Sequence, residues 1–176
     1  MKMTLRHIAW ILQLKMLSVY IRLSTNREPE IYEHDYNFVS AKGIVLRQGD
    51  DIALIGTGKI VVDLLKVADN LASHGISAQV INIHTLKPFD DEIIEKAAAE
   101  TSAILTVEDH SVYGGLGSIV ADVVAEKKLN VTFKRMGLLG FAKGYGNYED
   151  MKAMNGIGVS DIAGTALRLV EMGRGR

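Results

Sequence analysis

The chain has no cysteine, only two prolines and a single tryptophan among its 176 residues. Without cysteine it can form no disulfide, thiolate metal site or thiol nucleophile, which fits a reducing compartment, so we expect a cytoplasmic protein. A long hydrophobic run is also missing, because Gln13 and Lys15 interrupt the apolar stretch that begins at Ile8. So short a stretch cannot span a bilayer, and no small-residue cleavage site follows it as in a signal peptide. We therefore expect no membrane partner.

An excess of charge of either sign is missing too, because 20 basic and 21 acidic residues give a formal net charge of −1. No bulk electrostatic attraction therefore favours nucleic acid or an anionic membrane as a partner. The five histidines are scattered and form no His-x-x-x-His pair, so we predict no metal site. What the chain does have is 48% hydrophobic residues. This suits about one globular domain with a short extension.

Beyond residue 42, short apolar runs alternate with segments whose apolar residues repeat at helical spacing. Repeated strand–helix units predict a parallel sheet that helices cover on both faces. The extended residues 43–47 come before the first unit and are predicted to form an extra edge strand. The four strands of the repeated units are predicted at residues 52–55, 80–83, 103–107 and 131–136.

Individual residues mark the predicted helix ends. Gly75 suits the left-handed C-terminal cap of the first helix. Asp90 is the predicted N-cap of the second helix, with Phe89 packing on Ile94 as a hydrophobic staple. Ser160 is the predicted N-cap of the last helix.

The third strand of these units runs into a glycine-rich connection, residues 108–118, in which three glycines fall within four positions. Glycine lets a backbone turn sharply and approach another surface closely. We therefore predict a contact loop between subunits, with polar-tipped side chains packing there. Ligand contact at the carboxyl end of a strand and a purely local structural role stay open as alternatives. The candidate residues are Glu108, Asp109, His110, Tyr113, Gly114, Gly115 and Gly117.

A second glycine turn, Gly56, Thr57 and Gly58, follows the first of these strands and opens its helix. Free amides and the helix macrodipole at such a position suit an anion, although a tight strand-to-helix turn needs the same residues. No lysine and serine of a Walker motif follow, and the spacing is not that of a dinucleotide fingerprint. Anion binding and a plain turn are therefore both open here.

Several segments occur in one order along the chain, namely Val19-Tyr20-Ile21-Arg22-Leu23-Ser24, Lys42-Gly43-Ile44-Val45-Leu46-Arg47, Ile55-Gly56-Thr57-Gly58 and Thr106-Val107-Glu108-Asp109-His110-Ser111 with Gly114-Gly115-Leu116-Gly117-Ser118. In this order they resemble the C-terminal subunit of split transketolases. They are similar, less closely, to deoxyxylulose-phosphate synthase and to the beta subunits of 2-oxoacid dehydrogenases. The resemblance covers roughly residues 18–172.

The resemblance implies a three-layer α/β/α fold with a mostly parallel five-stranded sheet and one antiparallel edge strand, formed by residues 42–47. It also implies three segments along the chain. Residues 1–27 would be a remnant of the end of a pyrimidine-binding domain, with a tail strand at residues 19–23, residues 28–41 a linker, and residues 42–176 the transketolase C-terminal domain. The first 17 residues depart from the family, which a truncated or frame-shifted reading frame would explain.

The family reaction implied is the transfer of a two-carbon ketol unit between sugar phosphates of the pentose phosphate pathway, with thiamine diphosphate and magnesium as cofactors. The magnesium motif of the family begins Gly-Asp-Gly, which Gly49-Asp50-Asp51 fails to match. No residue matches the glutamate that activates the cofactor. We therefore predict no catalytic or cofactor-binding residue and no activity for this chain alone. The resemblance offers Arg22 and Arg27 as candidates for binding a substrate phosphate, with an exposed salt-bridging arginine as the alternative.

The predicted partners are another copy of the chain, giving at least a dimer, or a companion chain that carries the pyrophosphate- and pyrimidine-binding domains. An apolar face around Ile8, Ile11 and Leu12, together with the glycine-rich connection, motivates the dimer. Two other functions stay open. One is a stand-alone anion-binding or regulatory module that uses Gly56, Thr57 and Gly58, and the other is the C-terminal part of a 2-oxoacid dehydrogenase beta subunit.

Overall fold

The computed structural model describes residues 20–22, 29–32 and 38–175. The chain divides into two units, residues 1–40 and residues 41–176, and regular structure is described in the second. Its strands are β1 (Ile44–Arg47), β2 (Ile52–Gly56), β3 (Ala78–Asn82), β4 (Ala103–Ser111) and β5 (Thr132–Leu138). Its helices are α1 (Ile60–Ser73), α2 (Asp91–Glu100), α3 (Leu116–Glu126), α4 (Tyr148–Met154) and α5 (Val159–Arg174).

The five strands form one sheet in the order β1-β3-β2-β4-β5. The β2, β3, β4 and β5 strands run parallel, and β1 pairs antiparallel with β3 at one edge. All five residues of the central strand β2 are buried, as a strand covered on both faces requires. The predicted fold class, with its antiparallel edge strand, is confirmed.

Two hydrophobic cores lie on opposite faces of the sheet, because successive strand residues point to opposite sides. Along β2, Leu54 belongs to the first core and Ile55 to the second. The first core joins the sheet to α1 and α5 through Leu64, Leu71, Ile162, Ala166 and Val170. The second joins it to α2 and α3 through Ile94, Ala97, Leu116, Val120 and Val123. The three-layer arrangement is therefore confirmed as well.

The β4 strand is longer than the predicted residues 103–107, because it continues to Ser111. The neighbouring strand β5 supplies partners over this extension, with a shift in register between Val107 and Ser111. Glu108, Asp109 and His110 are consequently strand residues and not loop residues. The loop itself is short, since α3 begins at Leu116.

The helix ends follow the sequence in part. Gly75 has a φ of +72° and, with the Ile76 N–H donating to the Leu71 carbonyl at 3.0 Å, closes α1 as predicted. Asp90 stands at the N-cap of α2, but its carboxylate accepts from the Gly43 N–H at 2.9 Å and not from its own helix. The Ser160 prediction is wrong, because α5 begins at Val159.

The cap of α5 is Gly158, whose N–H donates to the Asp161 carboxylate at 3.1 Å. The acid in the first turn therefore binds the N–H of the cap residue, and no serine side chain caps the helix. Elsewhere, the tail strand predicted at residues 19–23 is not seen where residues 20–22 are described. A single strand without a neighbouring strand lacks the interstrand hydrogen bonds that would hold it.

In the described part of the chain, no helix combines the length and the apolar character needed to cross a membrane.

Candidate functional site at the carboxyl edge of the sheet

The two glycine turns lie at the same edge of the sheet, where the parallel strands β2 and β4 end. Gly56 at the end of β2 is in register with Val107 of β4. From there β2 passes through Gly58 into α1, and β4 passes through Gly114 and Gly115 into α3. This edge is where open α/β sheets place their ligands.

Glu108 is the buried centre of the second turn, with no exposed surface. One carboxylate oxygen accepts from the Leu116 N–H at 2.7 Å, and the other accepts from the Gly117 N–H at 2.9 Å. These are unpaired donors of the first turn of α3, where a negative charge is also favoured by the helix dipole. The chain's own carboxylate thus occupies the place that an outside anion would take.

Each glycine of this turn is required by a close neighbour or by its backbone conformation. A Cβ atom at Gly115 would lie 2.1 Å from Oε2 of Glu108, and one at Gly117 would lie 2.8 Å from Oγ1 of Thr106. Gly114 has a φ of +75°, a conformation that side chains rarely adopt. The glycine pattern is therefore explained by packing within this chain.

His110 lies between two carboxylates on the same strand. Its Nε2 is 2.9 Å from Oε2 of Glu108, and its Nδ1 is 3.4 Å from Oδ1 of Asp109. Its side chain is 35% exposed, against 17% for Asp109 and none for Glu108, so it is the most accessible member of the group. Either nitrogen can donate to a carboxylate, according to the tautomer.

Asp109 connects this turn to α4. Its Oδ2 accepts from the Tyr148 hydroxyl at 2.9 Å. Burial, followed by the charge of Asp109 and this hydrogen bond, raises the pKa of Tyr148 well above its usual range. The phenol therefore stays protonated and acts as a donor. The ammonium groups of Lys59 and Lys152 lie 4.0 and 4.5 Å from the centre of its ring.

Lys152 and Asp63 form a buried ion pair beside Tyr148, with 2% and 4% of their side chains exposed. Lys152 also contacts Glu149 at 2.9 Å, and Asp63 contacts Lys66 at 3.1 Å. The sequence interpretation missed this group because it missed α4. The signal that could have found α4 is Asn147, which caps the helix by accepting from the Asp150 N–H at 3.0 Å.

The first turn, Gly56, Thr57 and Gly58, is built as a tight strand-to-helix connection. A Cβ atom at Gly56 would lie 2.7 Å from a methyl group of Leu64, and Gly58 has a φ of +68° with open space around it. Both glycines are thus needed by the turn itself. Binding of an anion at this turn stays a prediction.

The two arginine candidates belong to the first unit, residues 1–40. Arg22 is exposed, and Arg27 lies outside the described residues. Among the residues that the structure describes, no three histidine or acidic side chains are grouped so that they could hold a metal ion. In the glycine-rich connection, Ser111, Tyr113 and Gly114 are exposed, so another molecule can reach them.

Comparison with known proteins gives concordant results. A family model described as "Transketolase, C-terminal domain" matches residues 41–162. An apulose-4-phosphate transketolase subunit of Actinobacillus succinogenes is 38% identical over 153 residues, which are 86% of this chain and 49% of that protein. The putative transketolase C-terminal section of Methanocaldococcus jannaschii is 35% identical over 147 residues, which are 82% of this chain and 46% of that protein.

A solved structure described as "Split gene transketolase, inactive beta4 tetramer" superposes with a TM-score of 0.76 at 30% sequence identity. The match covers 84% of this chain and 48% of that one. The chain thus spans about half the length of the split transketolase chains that it matches. From the match over residues 41–162 and the five-stranded fold, this chain belongs to the transketolase family and carries its C-terminal domain.

Proposed function

We propose that this chain is the C-terminal part of a thiamine-diphosphate-dependent transketolase, which moves a two-carbon ketol unit between sugar phosphates. The observation that carries the proposal is the span of the match, which takes in 86% of this chain but 49% of the apulose-4-phosphate transketolase subunit. In such an enzyme the cofactor supplies the difficult chemistry. The C-terminal domain of residues 42–176 is therefore expected to be inactive by itself and to serve the assembly of the complete enzyme.

The described residues do not fit a thiamine diphosphate site. Asp51, the last residue of the near match Gly49-Asp50-Asp51 to the family's magnesium motif, is already engaged within this chain. Its carboxylate accepts from the Ser77 N–H at 2.8 Å and from the Arg174 guanidinium at 2.6 Å. A Cβ atom at Gly49 would lie 2.2 Å from the Ala78 backbone, so no open loop is available there. We assign no step of the ketol transfer to these residues.

The geometry of the second glycine turn supports protein contact over ligand contact. Glu108 accepts the N–H groups of Leu116 and Gly117, so a ligand would have to displace a buried carboxylate to reach them. The Tyr113 side chain beside it is 66% exposed, and tyrosine is enriched at protein interfaces. We propose that residues 42–176 serve assembly, that residues 28–41 are a linker, and that residues 1–27 are the end of a pyrimidine-binding domain.

The proposed partners are a companion chain with the pyrophosphate- and pyrimidine-binding domains and further copies of this chain. The relative described as an inactive beta4 tetramer supports both self-association and the need for a companion. In the assembled enzyme the exposed Arg22 is the proposed group for a substrate phosphate, with Arg27 as the second candidate.

The proposal is tested by calorimetry and by transketolase assays of the purified chain with thiamine diphosphate and magnesium. The assays are repeated after mixing with a candidate companion chain that contains a Gly-Asp-Gly motif and an activating glutamate. We expect neither binding heat nor turnover from the chain alone, and both from the mixture. Turnover by the chain alone would overturn the proposed inactivity. Full activity of the companion chain without this chain would overturn the assembly role.

A further inference from the structure

The connection from β5 to α4, residues 139–147, holds large apolar side chains in water. Every one of these residues is exposed. The exposed fraction is 78% for Leu139 and 91% for Tyr145, and Phe141 is fully exposed. Single exposed apolar residues are common on protein surfaces, but several in one connection mark a contact surface.

This connection is braced against α4 by Asn155. The Asn155 side-chain oxygen accepts from the Lys143 N–H at 2.8 Å, and its amide donates to the Lys143 carbonyl at 3.0 Å. The same amide donates to the Met151 carbonyl of α4 at 2.8 Å. The pair of hydrogen bonds between Asn155 and Lys143 fixes the middle of the connection. Less conformational entropy is therefore lost than in a free loop when the flanking aromatic side chains become buried in a complex.

Tyr113 extends the same surface from the neighbouring strand. The Val112 N–H donates to the Leu138 carbonyl at 3.0 Å, so Tyr113 and Leu139 leave β4 and β5 side by side. The Arg135 guanidinium lies 6.0 Å from the centre of the Tyr113 ring. We name the surface formed by Tyr113, Leu139, Phe141 and Tyr145 the aromatic edge.

We propose that the aromatic edge is the interface through which this chain binds a second copy of itself. The first argument is area. Its three aromatic side chains can bury about 150–250 Å² each. This is a large share of the roughly 800 Å² that each partner buries in an interface of standard size. Aromatic residues are also the type that is enriched in such interfaces.

The second argument is charge. A two-fold dimer packs the same patch of both copies together, so an excess of one charge sign in the patch would meet the same excess on the partner. Residues 139–147 contain a single charged side chain, Lys143, and the four residues of the aromatic edge contain none. The other charge beside the edge is the Arg135 guanidinium, which donates to the Val112 carbonyl and the Ser118 hydroxyl, so little like charge meets when two copies pack there. This inference deepens the assembly role proposed above. Its test needs no cofactor, substrate or companion chain. The dimer interface can therefore be disproved while the transketolase assignment holds, and the transketolase assignment can be disproved while the dimer interface holds.

The first test is sedimentation equilibrium of the full chain with Phe141→Ser and Tyr145→Ser combined. We expect the unchanged chain to dimerise at micromolar concentration. The double variant should raise the dimer dissociation constant at least about 30-fold, as expected when interface hot spots are removed. The matched control is Met172→Ser, because Met172 is 63% exposed near the end of α5, where Gly173 packs against Ser102 at the opposite edge of the sheet. The control should change the dissociation constant by less than about twofold.

A second test does not depend on loss of binding. Because the chain has no cysteine, Leu139→Cys introduces one unique site for a nitroxide label. We expect a defined dipolar distance between two labels in the dimer, which disappears when labelled chain is diluted with unlabelled chain. A monomeric unchanged chain, or a dimer that the double variant leaves intact, would overturn the proposal. So would a dimer that shows no defined distance from this position but does show one from Met172→Cys.

Discussion

At the scale of single residues, Glu108 decides the structure of the glycine-rich connection. Its buried carboxylate accepts hydrogen bonds from two backbone amides of α3, which fixes the conformation of the loop. The same carboxylate leaves no room for a side chain at Gly115. The sequence interpretation grouped Glu108 with Asp109 and His110 as one polar set. In the strand, Glu108 binds α3 and Asp109 binds Tyr148 of α4, while His110 contacts both carboxylates.

Replacing Gly115 with alanine tests this packing. The new methyl group would start 2.1 Å from Oε2 of Glu108, so the carboxylate must move and its bonds to α3 weaken. We expect a loss of about 1–3 kcal/mol in the free energy of unfolding, measured by urea denaturation. Gly140→Ala is the control, because nothing lies within 4 Å of a Cβ atom at that position. Equal stability of the two variants would contradict the packing role of Gly115.

At the scale of secondary-structure elements, α4 is held to the domain by polar contacts. Lys152 is 2% exposed and pairs with Asp63 of α1, while Tyr148 donates to Asp109 of β4. A helix of seven residues is too short to be stable alone, so these contacts fix its position. The connection before α4, which carries Phe141 and Tyr145, is held in position by Asn155 at the end of the same helix.

Lys152→Met is expected to destabilise the domain by about 3 kcal/mol, because it leaves the Asp63 carboxylate buried without its main partner. The double variant with Asp63→Leu should recover most of this loss, since no buried charge then remains. Thermal unfolding of the single and double variants measures both effects. Lys96→Met is the control, because Lys96 is 60% exposed and pairs with Glu100 in a surface ion pair worth little. A double variant no more stable than Lys152→Met would contradict the buried-pair argument.

At the scale of the whole domain, Asp51 joins distant parts of the chain at the amino edge of the sheet. It accepts from Ser77 before β3 and from Arg174 at the end of α5, while its carbonyl accepts from the Ser102 hydroxyl at 2.8 Å. Burial alone would raise the pKa of Asp51, but the Ser77 and Arg174 bonds outweigh it and hold the pKa below its ordinary value of 3.8. The charged carboxylate therefore stabilises the folded state.

A lowered pKa in the folded state gives a stabilisation that is present above pH 3.8 and is lost as the pH falls through the folded value. We expect Asp51→Asn to cost about 1 kcal/mol at pH 7. The difference from the unchanged chain should shrink as the pH falls below 3.8. Urea denaturation at a series of pH values measures it, with the exposed neighbour in Asp50→Asn as the control. A difference that grows toward acid pH would contradict the assigned sign.

The sequence by itself determined the layers, and its resemblance to transketolases implied the antiparallel edge strand and the family of this protein. Apolar runs such as residues 52–55 alternate with segments of helical period, and such repeated strand–helix units place helices on both faces of a parallel sheet. Such patterns are local in the chain, so periodicity alone reveals them. The segment order that resembles transketolases is likewise a property of the sequence.

Only the tertiary structure decided what the polar residues do. The extension of β4 to Ser111 depends on β5, which lies more than 20 residues further along the chain. The pairing of Asp63 with Lys152 spans a sequence separation of 89 residues, and the support of Lys143 by Asn155 needs α4 in place. Charges and hydrogen bonds act over a few ångströms between residues that are distant in sequence, so their partners are known only when the chain is folded.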